Sequence, residues 1–151
     1  MIYEVWAPLA KSVRLELDNA LHPMERDARG CWRLEKPGES GRTRYRFSVD
    51  EGNPVPDPRS RWQPDGVHGA SCVWHTHEFA ERPRAPFPET PVREVVIYEL
   101  HVGTFTPEGT YRAIKDRLQH LRDLGVTHLE LMPLSSFPGE RGWGYDGVYP
   151  Y

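Results

Sequence analysis

The sequence predicts two folds in series. An all-β sandwich is expected over residues 1–81, and a strand–helix–strand unit of a parallel α/β sheet from residue 92. Three observations carry this reading. Apolar residues alternate with period two in the first half. A proline-rich stretch then interrupts the chain. Beyond it, two nearly continuous β-prone runs flank a segment whose apolar residues recur at helical spacing.

The elements follow in order. Val13, Leu15 and Leu17 alternate with Arg14 and Glu16, and Tyr45, Phe47 and Val49 alternate with Arg46 and Ser48. Trp32 and Leu34 give a shorter version. Successive strand side chains point to opposite faces, so each run buries one face. Turn chemistry separates the runs at Asp27–Gly30, Pro37–Gly41 and Asp50–Pro54. Several short strands of this kind suggest a sandwich. Residues 53–70, with Pro54, Pro56, Pro58 and Pro64, read as irregular. Residues 82–91 carry four prolines and read as an extended, semi-rigid linker. The domain boundary is expected there.

Residues 94–102 then form an almost unbroken β-prone run, as expected for a strand covered on both faces. Tyr111, Ile114, Leu118 and Leu121 are spaced 3, 4 and 3, which makes one apolar stripe on a helix. Thr110 suits its start and Gly125 its stop. Residues 126–132 read as a second strand. Pattern alone leaves open whether this unit belongs to a barrel or to an open doubly wound sheet.

Composition narrows the function. The formal net charge is −3, with no block of like charge, so nucleic acid is not an expected partner. No run of about 18 apolar residues occurs, and no membrane span is expected. The first residues lack the basic and apolar regions of a signal peptide, and Cys31 and Cys72 are isolated, without metal-type spacing. Two reduced packing cysteines in a cytoplasmic protein are the expectation.

Chemistry-bearing residues are few. There is no G-x-G-x-x-G and no phosphate-binding loop, which argues against a nucleotide site. Glu99 and Glu130 lie near the middles of the two strands. Paired carboxylates serve glycoside hydrolysis, but they also serve as structural groups within a sheet. His75-x-His77 could hold a metal, yet two histidines without a third ligand read equally as packed or solvated side chains. No Ser-His-Asp arrangement can be argued from spacing. The closing loop says more. It starts at Pro133, after the second strand, where parallel sheets bind ligands. Trp143, Tyr145 and Asp146 stand among Gly142, Gly144 and Gly147. Aromatic faces stack on the C–H faces of sugars, and carboxylates bond their hydroxyls. The same residues could form a packing cluster.

Ile97–Thr110, Leu124–Pro133 and Trp143–Val148 together resemble the start of the catalytic barrel of the α-amylase superfamily, glycoside hydrolase family 13. Asp146-Gly-Val148 resembles its trehalose-releasing members. Branching enzymes typically place a glutamine after Trp-Gly-Tyr. Val5–Pro8, Gly30–Trp32, Tyr45–Phe47 and Pro56–Ser60 resemble the family-48 carbohydrate-binding sandwich that precedes that barrel.

The resemblance implies a fold class: a multi-domain fragment, with an all-β immunoglobulin-like sandwich (1–81) and the first β/α units of a (β/α)8 TIM barrel (92–151). Such a barrel needs about 250 residues, so most of it is expected to be missing. One strand before Met1 is expected to be missing as well. The resemblance further implies a glycoside hydrolase acting on an α-1,4-glucan or maltooligosyl trehalose, without metal or organic cofactor. Its catalytic carboxylates come from later strands, so no catalytic residue is assigned here and the chain alone is expected to be inactive. Tyr145 matches the tyrosine that stacks on the sugar beside the scissile bond. Trp143 and Asp146 are substrate-binding candidates in the same loop.

Overall fold

The computed structural model describes residues 1–76, 86 and 89–150. The linker assignment and His77 therefore lie largely or wholly outside the described residues. The chain divides into two units. One holds residues 1–79, 135–140 and 146–151, and the other residues 80–134 and 141–145.

The first unit contains β1 (Ile2–Trp6), β2 (Val13–Leu17), β3 (Ala20–Pro23), β4 (Glu25–Arg26), β5 (Cys31–Glu35), β6 (Arg44–Val49) and β7 (Ser71–Cys72). They make two antiparallel sheets, in the orders β1-β5-β4 and β3-β2-β6-β7. The alternating residues of β2 behave as their period requires. Val13, Leu15 and Leu17 turn inward, opposite Val49, Phe47 and Tyr45 of β6. In β6 Ser48, expected on the outward face, is buried as well, its hydroxyl donating to the Gly52 carbonyl at 2.8 Å. Tyr3, Val5 and Trp32 from the three-stranded sheet join them in one core with Met24 and Val73. Tyr3 and Phe47 meet Tyr45 edge to face, with centroids 5.0 and 5.8 Å away. Burying one such side chain stabilises the fold by about 1.5–3 kcal/mol. The buried Trp32 indole donates to the Ala7 carbonyl at 3.0 Å, which satisfies its one polar atom.

Four strands were not read from alternation: β1, β3, β4 and β7. The hairpin joining β2 to β3 turns on Asp18 and Asn19, at φ 51° and 61°. Consecutive left-handed residues are the signature of the tight hairpin turn that matches strand twist. β3 is mostly exposed, so it shows no buried face to read. The segment 53–70 is irregular as expected, apart from a bridge between Val55 and Phe47.

The second unit contains β8 (Ile97–Leu100), the single turn α1 (Val102–Phe105), α2 (Tyr111–Lys115), α3 (Leu118–Asp123) and β9 (His128–Leu131). β8 and β9 pair in parallel, as the strand–helix–strand pattern predicted. Both are shorter than their β-prone runs. The expected single helix is two. At the junction, the amides of Asp116 and Arg117 bond the carbonyls of Ala113 and Ile114, three residues back rather than four. The tighter bonding breaks the helix there. Of the stripe, Ile114 and Leu121 are buried, whereas Tyr111 and Leu118 are exposed. Both ends match their predicted caps. Thr110 Oγ1 accepts from the Ala113 amide at 3.3 Å. Gly125 sits at φ 86°, with Gly125 N–H bonding Arg122 and Val126 N–H bonding Leu121, the paired closure of a left-handed cap.

Leu100, Ile114 and Leu121 form the small core of this unit, with Val102, Phe105 and Val126 packed against it. The expectation that β8 is covered on both faces does not hold among the described residues. Ile97, Tyr98, Leu129 and Leu131 are all exposed. The helices cover one side of the pair only through this small cluster.

Candidate functional site

The candidate site grows from the carboxyl ends of β8 and β9. Leu100 and Leu131 are register partners, and Met132 N–H continues the ladder to the Leu100 carbonyl at 3.0 Å. The segments leaving both strands therefore start at the same end of the pair. His101 follows β8 and Pro133 follows β9.

Two contacts fix the loop that returns at residues 141–145. First, His101 Nε2 lies 2.8 Å from the Gly142 carbonyl oxygen. A carbonyl only accepts, so Nε2 carries the hydrogen. Nδ1 lies 3.3 Å from Thr104 Oγ1, which holds the ring from its other edge. Second, Gly144 is buried at φ 89°, and a Cβ there would stand 2.3 Å from the Pro133 carbonyl oxygen. Only glycine permits both that backbone conformation and that approach. On either side of Gly144, Trp143 is 75% exposed and Tyr145 is 69% exposed. A backbone pinned at two points thus presents two aromatic side chains to solvent.

Asp146, the third predicted site residue, is exposed. It falls in the stretch grouped with the first unit. Within that unit Val148 bridges to Ser136, and the Tyr149 hydroxyl donates to the Val67 carbonyl at 2.7 Å. Glu99 and Glu130 are register partners across β8 and β9, and both are exposed. They sit within the strands rather than at the carboxyl ends that carry the loop. His75 Nε2 lies 3.3 Å from the Gly38 carbonyl, and His128 Nδ1 lies 2.8 Å from Thr127 Oγ1. Among the described residues no three His, Cys, Asp or Glu side chains cluster as metal ligands, and no helix is long and apolar enough to cross a membrane.

Sequence reasoning missed two arrangements. One is the His101–Gly142 contact, which spans 41 residues and leaves no local pattern. The other is Asp57, buried in the first unit. It accepts from the Tyr45 hydroxyl at 2.7 Å and from the Arg59 amide at 2.8 Å. Burial pushes its carboxyl above the usual range, opposed by those two hydrogen bonds and by the Arg59 charge. Burial and the neighbouring Asp57 likewise push the Tyr45 phenol up.

Comparison with known proteins decides the kinship. A malto-oligosyltrehalose trehalohydrolase from Mycobacterium tuberculosis is 46% identical over 99% of the chain, and one from Saccharolobus solfataricus is 40% identical over 99%. The chain is a homologue of the N-terminal part of α-amylase-superfamily trehalohydrolases. It spans about a quarter of their length, 26% in each case. A 1,4-alpha-glucan branching enzyme from Streptomyces coelicolor is more distant, at 32% identity over 95% of the chain and 20% of the enzyme. No family model matches the chain.

Solved structures agree with this kinship. A Salmonella typhimurium protein assigned provisionally as an alpha amylase superposes with TM-score 0.86 at 40% identity, covering 98% of this chain and 25% of that one. A pullulanase from Anoxybacillus, solved with maltotetraose, superposes with TM-score 0.83 at 22% identity, covering 97% and 26%. At that identity the second match speaks for the fold alone. The chain thus keeps the architecture of the matching part of these proteins.

Proposed function

We propose that this chain forms the N-terminal part of an α-glucan-active glycoside hydrolase that releases trehalose from maltooligosyl trehalose. The observation that carries the reading is 46% identity along the whole chain to a named trehalohydrolase, against 32% to a named branching enzyme. In this reading residues 1–81 are an immunoglobulin-like, carbohydrate-binding-module-like sandwich. Residues 82–91 are a linker, and residues 92–151 open a (β/α)8 catalytic barrel. The protein works in the cytoplasm.

The chemistry is that of the superfamily. One carboxylic acid protonates the leaving oxygen, and a carboxylate on the other face of the sugar forms a covalent glycosyl intermediate that water then hydrolyses. Both carboxyls come from later strands, and no cofactor takes part. The role of this chain is to position substrate. Tyr145 stacks on the sugar beside the scissile bond, and Trp143 and Asp146 are further substrate-binding residues. The exposure of both aromatic side chains at the carboxyl end of a parallel pair supports that role.

The test is an assay of the full-length protein carrying this chain on maltooligosyl trehalose. Trehalose release is expected, with none from the 151-residue chain alone. Transfer of glucan to new branch points without trehalose release would replace this reading with the branching-enzyme one. Binding of glucan with neither activity would make the protein a non-catalytic module.

A further inference from the structure

We propose that His101 is a positioning residue for the reaction, acting through the loop that carries Trp143 and Tyr145. The inference rests on the reading of Tyr145 as a sugar platform and deepens it. Four observations carry it. His101 Nε2 lies 2.8 Å from the Gly142 carbonyl, next to Trp143 in the chain. Thr104 Oγ1 stands 3.3 Å from the opposite ring nitrogen, so the imidazole is held at both edges. A Cβ on Gly103 would stand 3.0 Å from His101 Cε1, so this glycine leaves the ring its room. The ring is partly buried, whereas the aromatic side chains it serves are exposed and take nothing from the core.

The arrangement separates the platform from its support. Trp143 and Tyr145 are free to meet a ligand because the loop's backbone, not its side chains, is tied down. The ties are the Nε2–H bond at Gly142 and the close approach of Gly144 to Pro133. The required hydrogen sits on Nε2 whether the ring is neutral or charged, because its partner can only accept. Thr104 meets Nδ1 in either state, since a hydroxyl both donates and accepts. His101 touches no reacting atom. It sets where the aromatic platform stands, and small misplacements of positioning groups cost up to about 10²-fold in rate.

The experiment has two readouts in the full-length protein. The first is the rate of tryptic cleavage after the exposed Arg141 at the root of the loop. His101→Phe keeps the ring but loses the donor, and should speed that cut by about tenfold or more. His101→Gln can offer an amide N–H from the Nε2 position, and should restore most of the protection. Equal cleavage in the parent and His101→Phe would overturn the proposal, whatever the activity.

The second readout is a double-mutant cycle on kcat/KM with Tyr145→Ala. Residues acting as one unit are non-additive. His101→Phe should lower kcat/KM by about ten- to a hundredfold in the parent background and by less than about threefold once Tyr145 is alanine. Additive losses, with Tyr145→Ala itself damaging, would overturn the role of His101 and leave the platform standing. A harmless Tyr145→Ala would overturn the platform, and with it any role of His101 in the reaction. The cleavage rates would still report whether His101 holds the loop.

Discussion

Gly144 is where the loop has no alternative. Its φ of 89° is open to other residues only with strain, and the Pro133 carbonyl occupies the space a Cβ needs. Gly144→Ala must therefore move the backbone between Trp143 and Tyr145. In the full-length protein it should reduce kcat/KM at least as much as Tyr145→Ala, while the melting of the first unit stays unchanged. Parent-like kinetics for the alanine variant would show that the loop tolerates displacement. Asp57 is the second residue with a consequence. Its folded pKa is raised, so the protonated form is the one the fold favours. Its stabilising contribution is full below the unfolded value near pH 3.9 and is lost as pH rises through the raised folded value. Asp57→Asn has no such proton to lose. The stability of the parent relative to Asp57→Asn should thus fall with rising pH across that window and become flat above it. A difference that grows with pH would reverse the assignment. Measurement by urea unfolding at several pH values decides.

At the scale of elements, the sequence showed what repetition can show. β2 was legible because five residues alternate cleanly and the inward set is apolar, and β6 because Tyr45, Phe47 and Val49 keep period two even though Ser48 is buried as well. β3, β4 and β7 were not, because strands of two to four residues hold only one or two periods of the pattern, too few to stand out from chance. The stripe Tyr111, Ile114, Leu118, Leu121 located a helix but not its break. A stripe spaced 3, 4 and 3 is compatible with continuous helix, and the shift to bonds three residues back depends on packing. The closing loop was legible through its aromatics and glycines, whereas its support by His101 was not. Nothing local links residues 101 and 142. The caps were legible to the residue, and they carry a prediction. Thr110 Oγ1 satisfies an otherwise unpaired amide at the start of α2. Thr110→Ala should destabilise the second unit by about 0.5–2 kcal/mol, and Thr110→Ser by much less. Helical circular dichroism followed in urea checks this, and equal midpoints for alanine and parent would remove the cap from the account.

The whole molecule is built unevenly. The first unit closes two sheets over one core, with Tyr3, Leu15 and Phe47 at 1%, 0% and 1% exposure. The second rests on Leu100, Ile114 and Leu121, and leaves Ile97 at 59% and Leu131 at 38% exposure on a two-stranded parallel pair. Parallel sheets ordinarily have both faces covered, and two strands alone are marginal in water. Burial of apolar area is the main favourable term in folding, so the two units should differ in stability. The probes to separate them are already in place. Every α-helix among the described residues, from Val102 to Asp123, belongs to the second unit, so the 222 nm ellipticity reports largely on it. Trp32, 7% exposed, lies in the core of the first unit together with Tyr3 and Tyr45, so the near-ultraviolet signal reports largely on that unit. In the 151-residue chain the 222 nm transition should come at lower urea than the near-ultraviolet one. Non-coincident transitions of this kind are the sign that unfolding is not two-state. The exposed pair should also drive association, so that Ile97→Lys lowers the sedimentation coefficient at high concentration without moving the near-ultraviolet midpoint. One transition shared by both probes would mean that the second unit draws its stability from more than its own three-residue core.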